Sequence, residues 1–297
     1  MTRPRRLECL PWEVVAVWAL LATDLLAVVW TYAEVDPDQL YHVSETGLRG
    51  GLSRVLVLVN FPIALIAVAL ALIALDALPR RAWLVGTAAL GACAVTAWPG
   101  VVDQADLTAK WVNAIPALGV GAAAWLAVAA RRHPRIATPR LPLDRARFVL
   151  AIVATALSIP WLLAEVGRSL PDGIYLMRRL GTEPDGSVIP AVHLGHHHGL
   201  DGLLTLLSAL ALSRIRLRSR RITAVLHGYL GLALAYGTIN LANDAWHEQL
   251  VKRGWLDWSI PSALEPRLSW VWLVVLAAAL GFAVLLRAEA NAQPDYS

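Results

Sequence analysis

The chain has 297 residues, of which 57% are hydrophobic and only 16% charged, and its mean hydropathy is +0.55. A soluble domain carries roughly 25% charged residues, so an ordinary water-soluble fold is excluded. The net charge of +4 needs no nucleic-acid partner, because the basic residues cluster in the way that orients a membrane protein.

Apolar runs near the ~20 residues needed to cross a bilayer predict helices at 12–33, 54–75, 82–99, 112–130, 148–166, 190–213, 223–248 and 269–286. The predicted class is all-α, a polytopic membrane helical bundle of about eight transmembrane helices. The first run is too long for a signal peptide and lacks a small-residue cleavage site after it, so it reads as a true first span. Cys9 and Cys93 sit at different levels of the bilayer and offer no disulfide framework.

Charge sets the expected orientation. The N-terminus, Arg80 and Arg81, the segment 131–147, the segment 214–221 and Arg287 hold 17 of the 26 Lys and Arg residues. With eight spans these segments share one side, which the positive-inside rule makes cytoplasmic, with both termini there. The expected location is the cytoplasmic (inner) membrane, with anionic lipid headgroups as neighbours. Fifteen of the 22 acids and six of the eight histidines fall on the opposite side, where function is to be sought.

Three sequence echoes recur in the same order. Trp30-Thr-Tyr-Ala-Glu34-Val matches Trp161-Leu-Leu-Ala-Glu165-Val. His42 and Thr46-Gly-Leu-Arg-Gly50 parallel His193 and His198-Gly-Leu-Asp-Gly202. Trp111-Val-Asn-Ala-Ile-Pro-Ala-Leu118 pairs with Trp258-Ser-Ile-Pro-Ser-Ala-Leu264. They suggest tandem duplication of a four-helix unit, with halves 1–135 and 136–297 and the pseudo-two-fold axis along the membrane normal. The first half is the poorer in polar residues, offering Glu34, His42, Glu45, Asp103 and Asp106.

The chemistry concentrates in the second half. Pro190 suits a first helical turn, so the sixth helix is expected to begin there and to present His193, His196, His197 and Asp201 on one face, with His198 pointing elsewhere. On the seventh helix Tyr236, Asn240, Asp244 and His247 share a stripe, with Asn243 and Glu248 at its margins. A short loop joins these two helices, so the start of one meets the end of the other. Convergent imidazole and carboxylate groups on two helices are how a bundle builds a metal site. The expected ligands are His193, His196, His197, Asp201, Asp244 and His247, for a transition metal of the Zn, Fe, Mn or Cu type. Glu248, Asp24 and Glu165 are the candidate catalytic carboxylates, and Asn60 a further polar group at outer depth. The alternative for these histidines is hydrogen bonding to headgroups and loop carbonyls.

Other mechanisms lack their marks. No Gly-x-Ser-x-Gly elbow accompanies the outer serines, no phosphate-binding glycine loop is present, and only His227 lies fully inside a span where haem ligation would want a pair. Two functions follow. One is a metal-dependent membrane enzyme, oxidoreductase or hydrolase, acting on a lipid or other amphipathic small molecule from the outer leaflet. The alternative is a metal-ion or proton-coupled transporter. The apolar cytoplasmic halves of most spans favour the enzyme.

Overall fold

A computed structural model describes residues 6–7, 10–36, 39–40, 47–98, 101, 109–131, 135–136, 140–182, 186, 188–264 and 269–292. They are mostly helical, and each expected run contains a helix. In chain order these are α1 (Trp12–Glu34), α2 (Gly47–Leu58), α3 (Ala64–Ala77), α4 (Trp83–Ala94), α5 (Ala114–Ala130), α6 (Asp144–Leu157), α7 (Ile159–Glu165), α8 (His198–Leu212), α9 (Arg220–Trp246) and α10 (Trp270–Asn291). Two short antiparallel ladders join them, β1 (Arg6–Leu7) with β2 (Arg135–Ile136), and β3 (Leu180–Thr182) with β4 (Val188–Pro190).

Five helical stretches among the described residues are long and apolar enough to cross a membrane, and six if the bent pair α6 and α7 counts as one. The chain is thus a multi-pass membrane protein by the length and composition of its helices. Lipid-facing surface is evident in the many exposed large side chains, including Leu26, Leu84, Leu118, Leu273 and Leu280, a distribution that water would not tolerate on a monomer. The bend between α6 and α7 is 60° and falls at Ser158, just ahead of Pro160, whose ring cannot continue a regular helix. A wide turn at Val59–Ile63 holding Pro62 similarly joins α2 to α3.

The centre of the bundle is α3, apolar on every side, as expected of a helix with no solvent or lipid face. Its alanines Ala64, Ala67, Ala71 and Ala74 pack with Ala123, Leu126 and Ala130 of α5 and with Ala89 and Cys93 of α4. Small residues bring backbones close where no hydrophobic force separates helix from lipid. The same device joins α8 and α9: a Cβ at Gly202 would lie 2.6 Å from the Leu241 amide nitrogen, and one at Gly237 2.8 Å from the Gly202 carbonyl oxygen. That crossing fixes the height of the α8 start against the α9 end.

Two corrections concern the expected helices around the site. The sixth helix begins at His198 rather than at Pro190, which ends β4 instead. Between them Gly195 takes φ +95°, a left-handed conformation that a helix cannot include. The seventh helix widens at its end into a π-turn, His247–Val251, a distortion that frequently marks functional positions.

Candidate functional site

The loop Ala191–His197 delivers three histidines to the N-terminus of α8. It is held from below by α1 and α7: the Gly195 amide donates to the Ala164 carbonyl at 2.9 Å, and the Tyr32 hydroxyl accepts from the His196 amide at 3.2 Å. A Cβ at Gly195 would lie 2.7 Å from that hydroxyl, so both the backbone conformation and the space call for glycine. Thr31 of α1 donates to the Glu165 carbonyl, fastening the end of α7 beside the loop.

His197 sits at the N-cap of α8 and is buried. Its Nε2 lies 3.0 Å from the His193 carbonyl oxygen, and its Nδ1 lies 3.2 Å from Glu248 Oε1. The His193 ring stacks on it at 3.9 Å between centroids. Glu248 Oε2 in turn accepts from the indole Nε1 of fully buried Trp161 at 2.5 Å. Asp244, one turn before Glu248 on α9, accepts the Gly199 amide of α8 through Oδ2 at 2.5 Å, placing a carboxylate at a helix N-terminus where the dipole favours it. His197, Asp244 and Glu248 each offer a ligand atom, and the three lie within 4.8 Å of one another.

The His193 carbonyl engages Nε2 of His197 and leaves Nδ1 toward Glu248; metal-bound imidazoles are oriented by such a bond on the other nitrogen. Each carboxylate is likewise steadied through one oxygen, Asp244 by the Gly199 amide and Glu248 by Trp161.

His196 belongs to a second group. Its Nδ1 lies 3.0 Å from Glu165 Oε1 and its Nε2 2.7 Å from Asp201 Oδ1, while His198 Nδ1 lies 3.5 Å from Asp201 Oδ2. Asp24, buried on α1, has Glu165, His196 and Asp201 as its charged neighbours. The loop histidines respond oppositely to this setting. Burial would lower the His196 pKa, but Asp201 and Glu165 hold it well above the ordinary value. Burial, reinforced by nearby His197, pushes His193 well below it.

Of the expected ligands, His197 and Asp244 thus come together, joined by Glu248 from the margin of the predicted stripe. His193 stacks on His197 with its Nδ1 turned to the Leu194 carbonyl. His196 and Asp201 form the neighbouring group with Glu165 and Asp24. His247 enters no cluster of three ligand-type residues among the described residues. It and Glu248 both fall near the Asp244 face, at i+3 and i+4, and the widened turn starts at His247. The expected single face of His193, His196, His197 and Asp201 does not arise, because the first three precede the helix.

Asn60 lies in a separate polar knot with Asn113: its Nδ2 donates to the Leu56 and Asn113 carbonyls, both at 2.8 Å, and its Oδ1 accepts from Asn113 Nδ2 at 2.9 Å. It braces α2 against α5. His42, Glu45, Asp103 and Asp106 lie outside the described residues; Glu34, on α1, is described and exposed. Sequence reasoning missed Trp161 and Tyr32 as supports. The signal was present for Trp161, since a buried tryptophan usually places its N–H on an acceptor.

No known family, curated protein or solved structure matches the chain, so the chemistry is argued from this geometry alone.

Proposed function

We propose that the protein is an integral membrane metalloprotein that holds one first-row transition metal ion at His197, Asp244 and Glu248. The reading rests on one observation: three ligand-type groups, from the N-cap of α8 and the C-terminal end of α9 with its widened turn, converge within 4.8 Å, each with its non-ligating atom already engaged. One nitrogen and two carboxylates suit Zn, Fe, Mn or Cu alike, and three protein ligands leave coordination positions open, as in catalytic rather than structural sites. Such an ion supplies Lewis acidity toward water or a substrate oxygen. The chain's own residues orient it, His193 through its carbonyl and Trp161 through its indole. The substrate class is a lipid or other amphipathic molecule, because the site lies in the bundle with lipid-facing helices around it.

The finer architecture goes with this proposal: eight spans, both termini on the cytoplasmic side of the inner membrane, and halves 1–135 and 136–297 derived from one four-helix unit. Support for the orientation comes from one end of the bundle. There β1 pairs with β2, Asp76 accepts the Arg218 and Ser219 amides, and Arg147 meets Glu289, so the basic segments meet at the end opposite the histidines. The duplication rests on the three ordered echoes.

Metal analysis of detergent-purified protein tests the function. The wild type is expected to carry metal at one ion per chain, His197→Ala to carry none, and His198→Ala to retain it. Equal loss from both variants, or a metal-free wild type after loading, rejects the site. A resident metal that survives dialysis speaks for the enzyme; rapid exchange speaks for metal transport.

A further inference from the structure

The group around His196 shares no ligand with the proposed metal site, and its charges do not balance. Both His196 ring nitrogens face carboxylate oxygens, at 3.0 Å and 2.7 Å. A neutral imidazole has one N–H for those two acceptors, and even a doubly protonated ring would bring a single charge. That single charge already serves Glu165 and Asp201. Asp24 adds a third carboxylate in the middle of α1.

The unpaired atoms are specific. Asp24 Oδ2 and Glu165 Oε2 are both buried and accept no hydrogen bond among the described residues, the two side chains belonging to residues 7% and 3% exposed. The elements packed against α1 bring these charged groups. From α2 comes Arg54, whose guanidinium lies 5.1 Å over the ring of Tyr32, two turns along α1 from Asp24. From α7 comes Glu165. From α8 and the loop before it come His196, His198 and Asp201, with both histidines directed at Asp201. Glu165, an acid, is the strongest charged neighbour of Asp24.

An ionised carboxylate inside a span costs roughly 2.5 to 3.5 kcal/mol on insertion scales unless compensated. Two neighbouring buried acids cannot both ionise cheaply, and a proton on either removes one charge and turns an orphan acceptor into a donor. We propose that Asp24 and Glu165 together hold one exchangeable proton, making the middle of α1 a proton-binding site distinct from the metal cluster. The hydroxyls of Thr205 and Ser208 on α8, one and two turns beyond Asp201, are also buried without partners among the described residues. They extend the polar track inward from Asp201 along α8, so the proton lies on a route rather than in an isolated pocket.

Infrared spectroscopy and carbodiimide labelling of the full-length protein in membranes test this. The wild type at neutral pH is expected to show the carbonyl band of a buried protonated carboxyl, and a membrane-soluble carbodiimide should modify Asp24 or Glu165, both signals fading as the pH is raised. Asp24→Asn should lose the band and the labelling, and Asp24→Glu should shift the band rather than abolish it. Bound metal should be unchanged in Asp24→Asn, which separates this site from the metal reading. An identical carboxyl band in wild type and Asp24→Asn, or labelling that avoids both acids in the folded wild type, overturns the proposal, and the wild-type labelling decides it even if the variants fail to fold.

Discussion

The two ends of the bundle use charge in opposite ways. At the end holding the α6 start and the α10 end, buried Arg147 meets Glu289 through both terminal nitrogens, at 3.0 Å and 2.5 Å, donates through Nε to Ser213 at 2.9 Å, and also faces Asp144. Arg214 faces Asp144 and Glu13. Guanidinium is always charged, so this network is constant and holds α1, α6, α8 and α10 together. At the other end most of the cations are histidines, and buried carboxylate oxygens are left over among the described residues. Permanent ion pairs make a clasp, whereas a set built on titratable groups is the kind that can take up a metal ion or a proton.

Breaking the clasp should therefore cost stability and spare the site. In Glu289→Gln the bidentate partner of a buried arginine is lost while Asp144 remains, and a destabilisation of about 3 kcal/mol is expected, at the low end for a broken buried pair. Thermal unfolding followed in detergent measures it, with metal content unchanged per folded molecule. A stable variant that lost metal would reverse the assignment of the two ends.

A smaller effect is expected where the helices cross. Gly202→Ala places a methyl against the Leu241 amide and must push α9 away, costing ~1–3 kcal/mol as overpacking does. Because the same crossing sets Asp244 and Glu248 against His197, metal affinity should fall with it. Titration of the metal-free variant reports that coupling, and an affinity equal to wild type would show that the cluster tolerates the shift.

Trp161→Phe sharpens the account of the site itself, since it removes the donor to Glu248 Oε2 while keeping an aromatic ring, smaller by the part of the indole that packs on Gly199. Loss of an outer hydrogen bond to a metal ligand costs 10–100-fold in affinity, and competition with a chelator should show a decrease of about that size with folding retained. An unchanged affinity would mean that Glu248 is positioned by His197 alone.

The smallest effect concerns the loop over the histidine end. Asp172, although burial works against its charge, accepts the Met177 and Arg178 amides at 2.7 Å and 2.8 Å, and these hold its pKa below the ordinary aspartate value. A carboxyl with a lowered folded pKa contributes stability above its unfolded value near ~3.9 and loses it as the pH falls through the folded value. Acidification should therefore loosen the segment around Leu176, read as faster proteolysis or hydrogen exchange there, and Asp172→Asn should be loose already at neutral pH. Identical acid sensitivity in the two proteins would remove Asp172 as the anchor.

Much of this was legible in the sequence because long apolar runs admit little but helix in a bilayer, where every backbone group must find its partner within the segment. Location of the helices, the polar asymmetry of the two sides, and the meeting of the α8 start with the α9 end follow from composition, charge and a short loop. Which residues meet there does not. Helical periodicity placed His193, His196, His197 and Asp201 on one face, but Gly195 in a left-handed conformation and the β3–β4 hairpin ahead of it moved three of them into a loop. Neighbours in sequence then parted: His196 turned to Glu165 and Asp201, and His197 to Glu248. The contact of Trp161 with Glu248 joins residues 87 positions apart, and the Gly202–Gly237 approach that levels the two helices depends on atoms glycine lacks. Periodicity reports the direction of a side chain within one helix; partners supplied by other helices, and the atoms left without partners, were decided only by tertiary packing.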